Sequence, residues 1–306
     1  WEPYTDVVNN LKFRGSWGEL GNQNTTNLYP YYQLLKFAAN DANSHWLLNG
    51  MKPNTANAPD LISTLLSWET MRSRNIGIDV GALQNRLTFS FDYFNRKTLD
   101  MVGPAPELPV ILGATVPKTN NADMESKGFE LDIAWRDRIG KVDYGAHILL
   151  SDDRQRVTRY SNPTGTLNTW YEGQYSGEIW GYVTHGIAKT DEEMQDWLAN
   201  HKQSFGNSWA AGDIMYEDLN GDGEVNEGSN TITDSGDKKI IGNSSPRYKF
   251  GIDLDASWNG FDIRMFFQGV AKRDYWLGDN MFWGASGGLW QSTCFTDHLD
   301  FFRSEG

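Results

Sequence analysis

The most constraining feature of the chain is a pair of alternating stretches between residues 247 and 269. Apolar or aromatic side chains occupy every second position from 248 to 258, and Lys, Gly, Asp and Ser fill the positions between them. After an Asn-Gly pair at 259–260, the alternation resumes from 261 to 269. A period of two is that of a β-strand with one apolar and one polar face, and Asn-Gly favours a two-residue hairpin turn. The sequence therefore predicts an antiparallel hairpin, whose arms match the roughly 9–11 residues of a membrane-spanning strand.

The connections between such stretches are short and long in turn. Further alternating stretches lie at 11–17, 76–80, 87–93, 129–135 and 142–150. The short turns lie at 83–86, 137–141 and 258–260, and the long connections at about 19–67, 98–126, 152–246 and 271–306. Outer-membrane barrels place short turns on the periplasmic side and long loops outside the cell, whereas structureless loops of this length argue against a soluble sandwich. We therefore predict an all-β fold in which residues 1–306 form part of an antiparallel transmembrane β-barrel with long extracellular loops.

Composition supports this fold class and excludes several kinds of site. The chain holds 13 Trp, 13 Tyr and 15 Phe, yet its mean hydropathy is −0.57, as expected for aromatic strand faces joined by polar loops. A net charge of −13 without a basic run makes nucleic acid an unexpected partner. One cysteine, Cys294, cannot form an internal disulfide, and the five histidines have no zinc-site spacing.

One stretch has the residue pattern of a calcium-binding loop. The candidate ligands stand at loop positions 1, 3, 5 and 7: Asp218, Asn220, Asp222 and, through its backbone carbonyl, Glu224. Gly223 occupies position 6, where the chain turns sharply, but position 12 is Ser229 instead of a bidentate acid. The alternative is a metal-free turn rich in Asn and Gly.

Aromatic residues in the long connections are the candidates for substrate contact: Trp170, Tyr171, Trp180 and Trp283. They can stack on sugar rings or contact a partner protein. The alternative is that they pack against neighbouring loops or join an aromatic girdle at the membrane interface. On the strands, aromatic residues such as Phe89 and Phe267 are predicted to face lipid. The polar residues of the other parity are predicted to line the lumen, among them Asp79, Asp92, Asp253 and Arg264.

The remaining local patterns predict a helix and no enzyme. Residues 191–202 read as a helix, because Thr190 is a capping residue type and Glu193 stands three positions later. The Gly-Ala-Ser-Gly-Gly run at 284–288 matches a hydrolase nucleophile elbow, but only one histidine follows it and no strand-to-helix turn is indicated. Neighbouring acids such as Glu192 and Glu193 are interpreted as solvated charges.

Several segments together resemble the SusC/RagA group of TonB-dependent outer-membrane transporters. They are LKFRGSWGELGNQ at 11–23, the run at 66–102, ESKGFELDIAW at 125–135, and the runs at 171–194, 212–226 and 240–269. The segments follow the family order and correspond to the C-terminal half of the barrel. The family's plug, TonB box and N-terminal extension are not in the sequence and are expected in a longer protein.

The resemblance implies a function and a set of partners. It implies import of oligosaccharides or peptides through a barrel of about 22 strands in the bacterial outer membrane, powered through TonB and covered by a SusD-like surface lipoprotein. It also implies that a carboxylate before the Ile-Gly at 241–242 closes the 218–226 loop around a structural Ca²⁺. That residue is Asp237, with Asp234 as the other candidate. A secreted all-β glycan-binding or glycan-degrading protein with a calcium loop is the alternative function, and a structural or adhesive barrel is a second one.

Overall fold

The structure of the chain is a computed structural model. It describes residues 7–23, 32–33, 35, 37–39, 42, 47–56, 59, 61–63, 66–105, 116–278 and 296–299. Strands dominate these residues, and no helix among them is long and apolar enough to cross a membrane.

Within the described residues, the chain forms seven long strands. Two short strands of this part of the chain lie between the first and second of them, and six short strands and one helix lie between the fifth and sixth. In chain order the elements are β1 (Val8–Asn22), β2 (Phe37–Ala38), β3 (Thr55–Ala56), β4 (Glu69–Ala82), β5 (Leu87–Val102), β6 (Asn120–Ile139), β7 (Val142–Tyr160), β8 (Glu178–Gly181), β9 (Thr184–Ile187), α1 (Asp191–Leu198), β10 (Lys202–Gln203), β11 (Ile214–Tyr216), β12 (Glu224–Val225), β13 (Lys239–Asn243), β14 (Arg247–Trp258), β15 (Phe261–Lys272) and a 3₁₀ turn (Thr296–Leu299).

The seven long strands form one sheet in the order β1-β4-β5-β6-β7-β14-β15. The pairs β1–β4, β4–β5, β7–β14 and β14–β15 are antiparallel. In the last pair Trp258 stands opposite Phe261, and both turn residues, Asn259 and Gly260, have positive φ (46° and 84°). Two consecutive positive φ values are the signature of a type I′ turn, so the hairpin predicted from Asn-Gly is confirmed.

The strands run farther than the alternating patterns predict. β1 extends to Asn22, β5 to Val102 and β7 to Tyr160, all inside ranges that we expected to be loop from residues 19, 98 and 152. β6 likewise begins at Asn120, within the expected 98–126 loop. Polar cross-strand contacts replace apolar alternation in these extensions. For example, Arg159 Nη2 donates to a carboxylate oxygen of Asp100 and of Asp123, at 2.7 Å each. The ladder of backbone hydrogen bonds needs no apolar residues to continue, and this explains the difference.

The chain divides into two compact units, to both of which β6 and β7 contribute residues. The first comprises Trp1–Ala134, Asp153–Pro163 and Thr169–Gln174, and the second Trp135–Asp152, Thr164–Asn168 and Tyr175–Gly306. In the first unit the buried apolar residues Ala122, Val157 and Tyr160 cluster near the ends of β6 and β7. Elsewhere on its strands, large apolar side chains are exposed, among them Phe13 (75%) and Trp17 (64%) of β1.

The second unit contains most of the connection between β7 and β14. We call residues 175–246 the acidic excursion. It holds three two-stranded ladders, β8–β13, β9–β11 and β10–β12, and a core of Ala188, Met194 and Met215. The helix predicted over 191–202 begins as expected at Asp191, where the Thr190 hydroxyl accepts the Glu193 N–H. It ends at Leu198, four residues early, and the chain then enters β10.

Candidate functional site

Charged side chains meet across the polar face of the first unit's strands. The Arg14 guanidinium on β1 donates to both carboxylate oxygens of Asp79 at 2.8 Å and to Asp92 at 2.6 Å. Gly77 leaves room for this contact, because a Cβ there would lie 2.3 Å from Asp92 Oδ1. The two carboxylates predicted to line the lumen are therefore brought together by one arginine, so this face presents a hydrogen-bonded network of alternating charge.

In the second unit the same kind of pairing occurs on β14 and β15. Arg264 Nε lies 2.9 Å from Asp253 Oδ1, which joins two further residues predicted to line the lumen. At the start of β14, Arg247 makes a two-pronged contact with Asp152, a carboxylate that is only 7% exposed. Asp152 also accepts the Tyr248 N–H, so this clamp joins β7 to the start of β14, directly after the acidic excursion.

The predicted calcium loop is a network of hydrogen bonds between its side chains and its own backbone. Asp218 accepts the N–H groups of Gly221 (2.6 Å) and Gly223 (2.7 Å). Asn220 Oδ1 accepts the Asp222 N–H at 2.9 Å, and Asp222 Oδ1 accepts the Glu224 N–H at 2.8 Å. The loop lies against β10, because Glu224 is paired with Lys202.

Asp237 closes this loop and Asp234 does not. Asp237 has no exposed surface, and its carboxylate accepts the N–H groups of Leu219 (2.7 Å), Asn220 (3.2 Å) and Asn226 (2.8 Å). The Asp234 carboxylate instead binds the hydroxyl and the N–H of Ser229. Of the two acids considered for the loop, the structure therefore brings Asp237 to it.

The oxygen atoms of this loop can be compared with the ligands that a calcium ion needs. Side-chain oxygens of Asp218, Asn220, Asp222 and Asp237 are the chemistry that Ca²⁺ prefers. Within the described ranges, however, no three His, Cys, Asp or Glu side chains are grouped closely enough to hold a metal. Burial raises the pKa of Asp218, but the N–H groups of Gly223 and Gly221 outweigh it and hold that pKa below its ordinary value. The donor chemistry fits calcium, whereas the hydrogen bonds also satisfy the loop by themselves.

The predicted aromatic residues occupy different surroundings. In the first unit, the Trp170 ring packs against the Tyr160 ring at 6.2 Å with its edge toward it, and Tyr171 is 8% exposed. In the second unit, Trp180 lies on β8 opposite Ile240, and its Nε1 is buried with no partner among the described residues. Trp283, like the Gly-Ala-Ser-Gly-Gly run at 284–288, lies outside the described residues. The ring contact of Trp170 and the burial of Tyr171 favour the packing alternative for these two residues.

The acidic excursion contains a surface cavity of about 480 Å³ that was not predicted from the sequence. Its lining residues are His185, Glu193, Asp196, Trp197, Asn200, His201 and Met215. Glu193 and Trp197 are four positions apart and therefore lie on one side of α1, a signal that was present in the predicted helix. What the sequence did not show is that β9 brings His185 to the same place.

The Trp197 indole is sandwiched between two imidazoles. Its ring centroid lies 4.3 Å from that of His185 and 4.0 Å from that of His201, with interplanar angles of 24° and 16°. Two nearly parallel rings at these distances cannot share one face of the indole, so both faces are covered. His201 Nδ1 also lies 3.2 Å from the Trp197 carbonyl oxygen, a contact that positions the second imidazole.

Comparison with known proteins decides the family. Residues 1–181 match the family model described as TonB dependent receptor-like, beta-barrel. The chain belongs to this family. Its antiparallel strands are thus part of an outer-membrane β-barrel, as the alternating patterns predicted, and the family consists of receptors and transporters.

Relatives of the chain are much longer than the chain itself. TonB-dependent receptor P3 of Formosa agariphila is 27% identical over 279 residues, which cover 86% of this chain and 26% of that protein. TonB-dependent receptor SusC of Bacteroides thetaiotaomicron is 25% identical over 264 residues, covering 84% of this chain and 24% of that protein. The chain therefore spans about a quarter of the length of these curated relatives.

Solved structures show the same fold. The RagAB peptide transporter superposes with a TM-score of 0.65 at 22% identity, covering 97% of this chain and 30% of that chain. The RagAB peptide importer in its open-open state gives a TM-score of 0.60 at 21% identity, over 87% of this chain and 26% of that chain. The resemblance to the SusC/RagA group noted in the sequence is confirmed by these relatives.

Proposed function

We propose that this chain is part of a transporter that imports oligosaccharides or peptides across the outer membrane. One observation carries the proposal: the chain matches the TonB-dependent receptor barrel family over residues 1–181 while its strands pair in a single antiparallel sheet. Exposed apolar side chains on β1 and β15 and paired charges on the polar parity support a wall between lipid and a hydrated lumen. Such a wall binds and passes its substrate without chemical change.

The proposed partners follow from the same family. A SusD-like surface lipoprotein covers the extracellular side, and the TonB complex supplies energy through parts of the protein outside this chain. Support comes from the SusC relative and from the RagAB peptide transporter. The long connections, including the acidic excursion, are proposed to lie on the extracellular side, where loops of outer-membrane barrels are longest.

Uptake in the parent bacterium tests this function. We expect deletion of the gene that encodes the chain to abolish energy-dependent uptake of one class of labelled oligosaccharide or peptide, and a plasmid copy to restore it. The tagged protein should require detergent for extraction and should co-purify with a lipoprotein. Recovery in the soluble fraction without detergent, together with binding or cleavage of glycans, would support the secreted alternative instead.

We also propose that Ca²⁺ stabilises the 218–226 loop. Asp218, Asn220, Asp222 and Asp237 would hold it through side-chain oxygens and Glu224 through its carbonyl, with a structural role only. We expect Ca²⁺ to slow proteolysis of this loop in the purified protein, and Asp218→Asn to remove that effect. Asp234→Asn is the matched control, because Asp234 binds Ser229 instead of the loop. If a chelator leaves the rate of proteolysis unchanged, the loop is closed by its hydrogen bonds alone.

A further inference from the structure

The negative charge of the chain is concentrated in the acidic excursion. Residues 175–246 hold 13 of the 40 acidic and 4 of the 27 basic residues, a net charge of −9 out of −13. Two of its four lysines are paired internally, Lys202 with Glu224 and Lys238 with Glu227. A surface of one sign raises the local concentration of ligands of the opposite sign and speeds their arrival. The excursion therefore attracts cations.

The cavity beside α1 is the place where this negative charge can bind a ligand. Glu193 and Asp196 both line it, no lysine or arginine is among its lining residues, and both carboxylates belong to exposed residues. One Glu193 oxygen accepts the Lys189 N–H at 2.7 Å, which fixes the direction of that side chain. A volume of about 480 Å³ lies within the range of ligand pockets, roughly 300–1,000 Å³. The cavity thus combines room for a side chain with two acceptors for a positive charge.

The aromatic residues of the cavity exclude some classes of ligand and favour others. Sugar rings stack on open aromatic faces, but both faces of the Trp197 indole are covered by His185 and His201. The His, Asp and Glu side chains that line the cavity in the described part of the chain are not grouped closely enough to hold a metal ion. A guanidinium group fits the imidazole and the two carboxylates of the cavity, because it is planar, can stack on an imidazole and donates in parallel pairs to a carboxylate.

We infer that this cavity binds the guanidinium side chain of an arginine-containing peptide. This inference rests on the proposed import function, because it identifies a basic peptide as the cargo that the acidic excursion captures. Asp196 and Glu193 accept from the guanidinium, and the outer imidazole face of His185 provides the stacking surface.

Calorimetry on the purified full-length receptor tests the site. The probes are the tripeptide Gly-Arg-Gly and the same peptide with citrulline, which keeps the shape of arginine but carries no charge. We expect the arginine peptide to bind at least tenfold more tightly, because hydrogen bonds between charged groups are much stronger than those between neutral ones. Equal affinities for the two peptides would overturn the inference.

A pair of substitutions on α1 separates the cavity from diffuse attraction. Asp196→Asn should weaken binding of the arginine peptide about tenfold, in line with the loss of one charged hydrogen bond. Glu192→Gln is the matched control: it removes the same charge from an exposed position of the same helix that does not line the cavity, and should change affinity less than twofold. Equal losses in both variants would show that net charge alone attracts the peptide, and the site would be rejected.

Uptake measurements in cells separate failure of this inference from failure of the proposed function. If the wild-type receptor binds the arginine peptide and Asp196→Asn weakens that binding about tenfold, while cells import neither peptides nor oligosaccharides through the receptor, the cavity stands and the import function fails. If cells import arginine peptides equally well with wild-type and Asp196→Asn receptors, and calorimetry shows no difference, the import function stands and the cavity is not the site.

Discussion

Burial follows opposite rules in the acidic excursion and on the strands of the sheet. The excursion contains the largest fully buried side chains among the described residues, Met194, Val225 and Asp237. On the outer strands, Phe13 of β1 and Phe261 of β15 are each 75% exposed. The excursion is built like a small water-soluble domain: it buries apolar side chains, and its buried carboxylate Asp237 is satisfied by three backbone N–H groups. The strands place apolar side chains where hydrocarbon is the solvent, so exposure costs them nothing.

The largest effect is expected at the buried carboxylate of the excursion. Asp237→Ala leaves the N–H groups of Leu219, Asn220 and Asn226 without their carboxylate acceptor, and a hydrogen bond to a charged group contributes about 1.5–3 kcal/mol. We expect hydrogen exchange in the 218–237 region of the full-length protein to speed up greatly while the sheet strands stay protected. Asp237→Asn, which keeps one oxygen acceptor, should lie between the wild type and Asp237→Ala. Unchanged exchange in Asp237→Ala would mean that the loop does not depend on this residue.

The core of the excursion provides the next test. Met194 has no exposed surface and packs with Ala188 and Met215, so Met194→Ala should reduce the local free energy of unfolding by about 2–5 kcal/mol. Ile232→Ala, at a site that is 47% exposed, should change it by about 0.5 kcal/mol or less. Mass-spectrometric hydrogen exchange over 178–243 measures both. Similar effects in the two variants would contradict a packed core in this region.

A pair of lysine substitutions compares a strand residue predicted to face lipid with a residue of the excursion that faces water. Met265 of β15 and Ile232 of the excursion are 45% and 47% exposed. Met265→Lys should destabilise the folded barrel by about 2–4 kcal/mol if that side chain faces the middle of the bilayer. Ile232→Lys should be nearly neutral, because its side chain faces water. Unfolding in lipid vesicles by urea measures the difference, and a neutral Met265→Lys would reject the lipid-facing assignment of this parity.

Low pH should destabilise the acidic excursion before it affects the sheet, and this is the smallest of the four expected effects. The Ser229 hydroxyl and N–H lower the pKa of Asp234, and Ser204 followed by Lys202 lowers the pKa of Glu224. A carboxylate with a lowered pKa in the folded state stabilises it fully above its ordinary pKa near 4, and this contribution is lost as pH falls through the folded-state value. We expect proteolysis of residues 175–246 to accelerate below about pH 4. Asp234→Asn should be less sensitive to pH, and simultaneous cleavage of strands and excursion would contradict the comparison.

Much of the fold was readable in the sequence because its signals are local. Period-two alternation identified the strands, Asn259 and Gly260 predicted the closing turn, and Thr190 with Glu193 predicted the start of α1. The strand ends were not readable, since Arg159, Asp100 and Asp123 continue the ladder through contacts between residues far apart in the chain. The end of α1 at Leu198 was also missed, because Lys202, the last residue of the predicted helix, pairs with β12 as part of strand β10.

The sequence by itself determined the class of fold, the family and the set of oxygen-bearing side chains in the 218–226 loop, because these depend on residue type and spacing along the chain. Tertiary structure decided which acid closes that loop: Asp237 and Asp234 are equivalent by type, and only folding brings one of them to the N–H groups of 219, 220 and 226. It also decided that His185 and His201 cover the two faces of Trp197. Spacing along a chain cannot show such contacts, since they form between elements whose separation is set by packing.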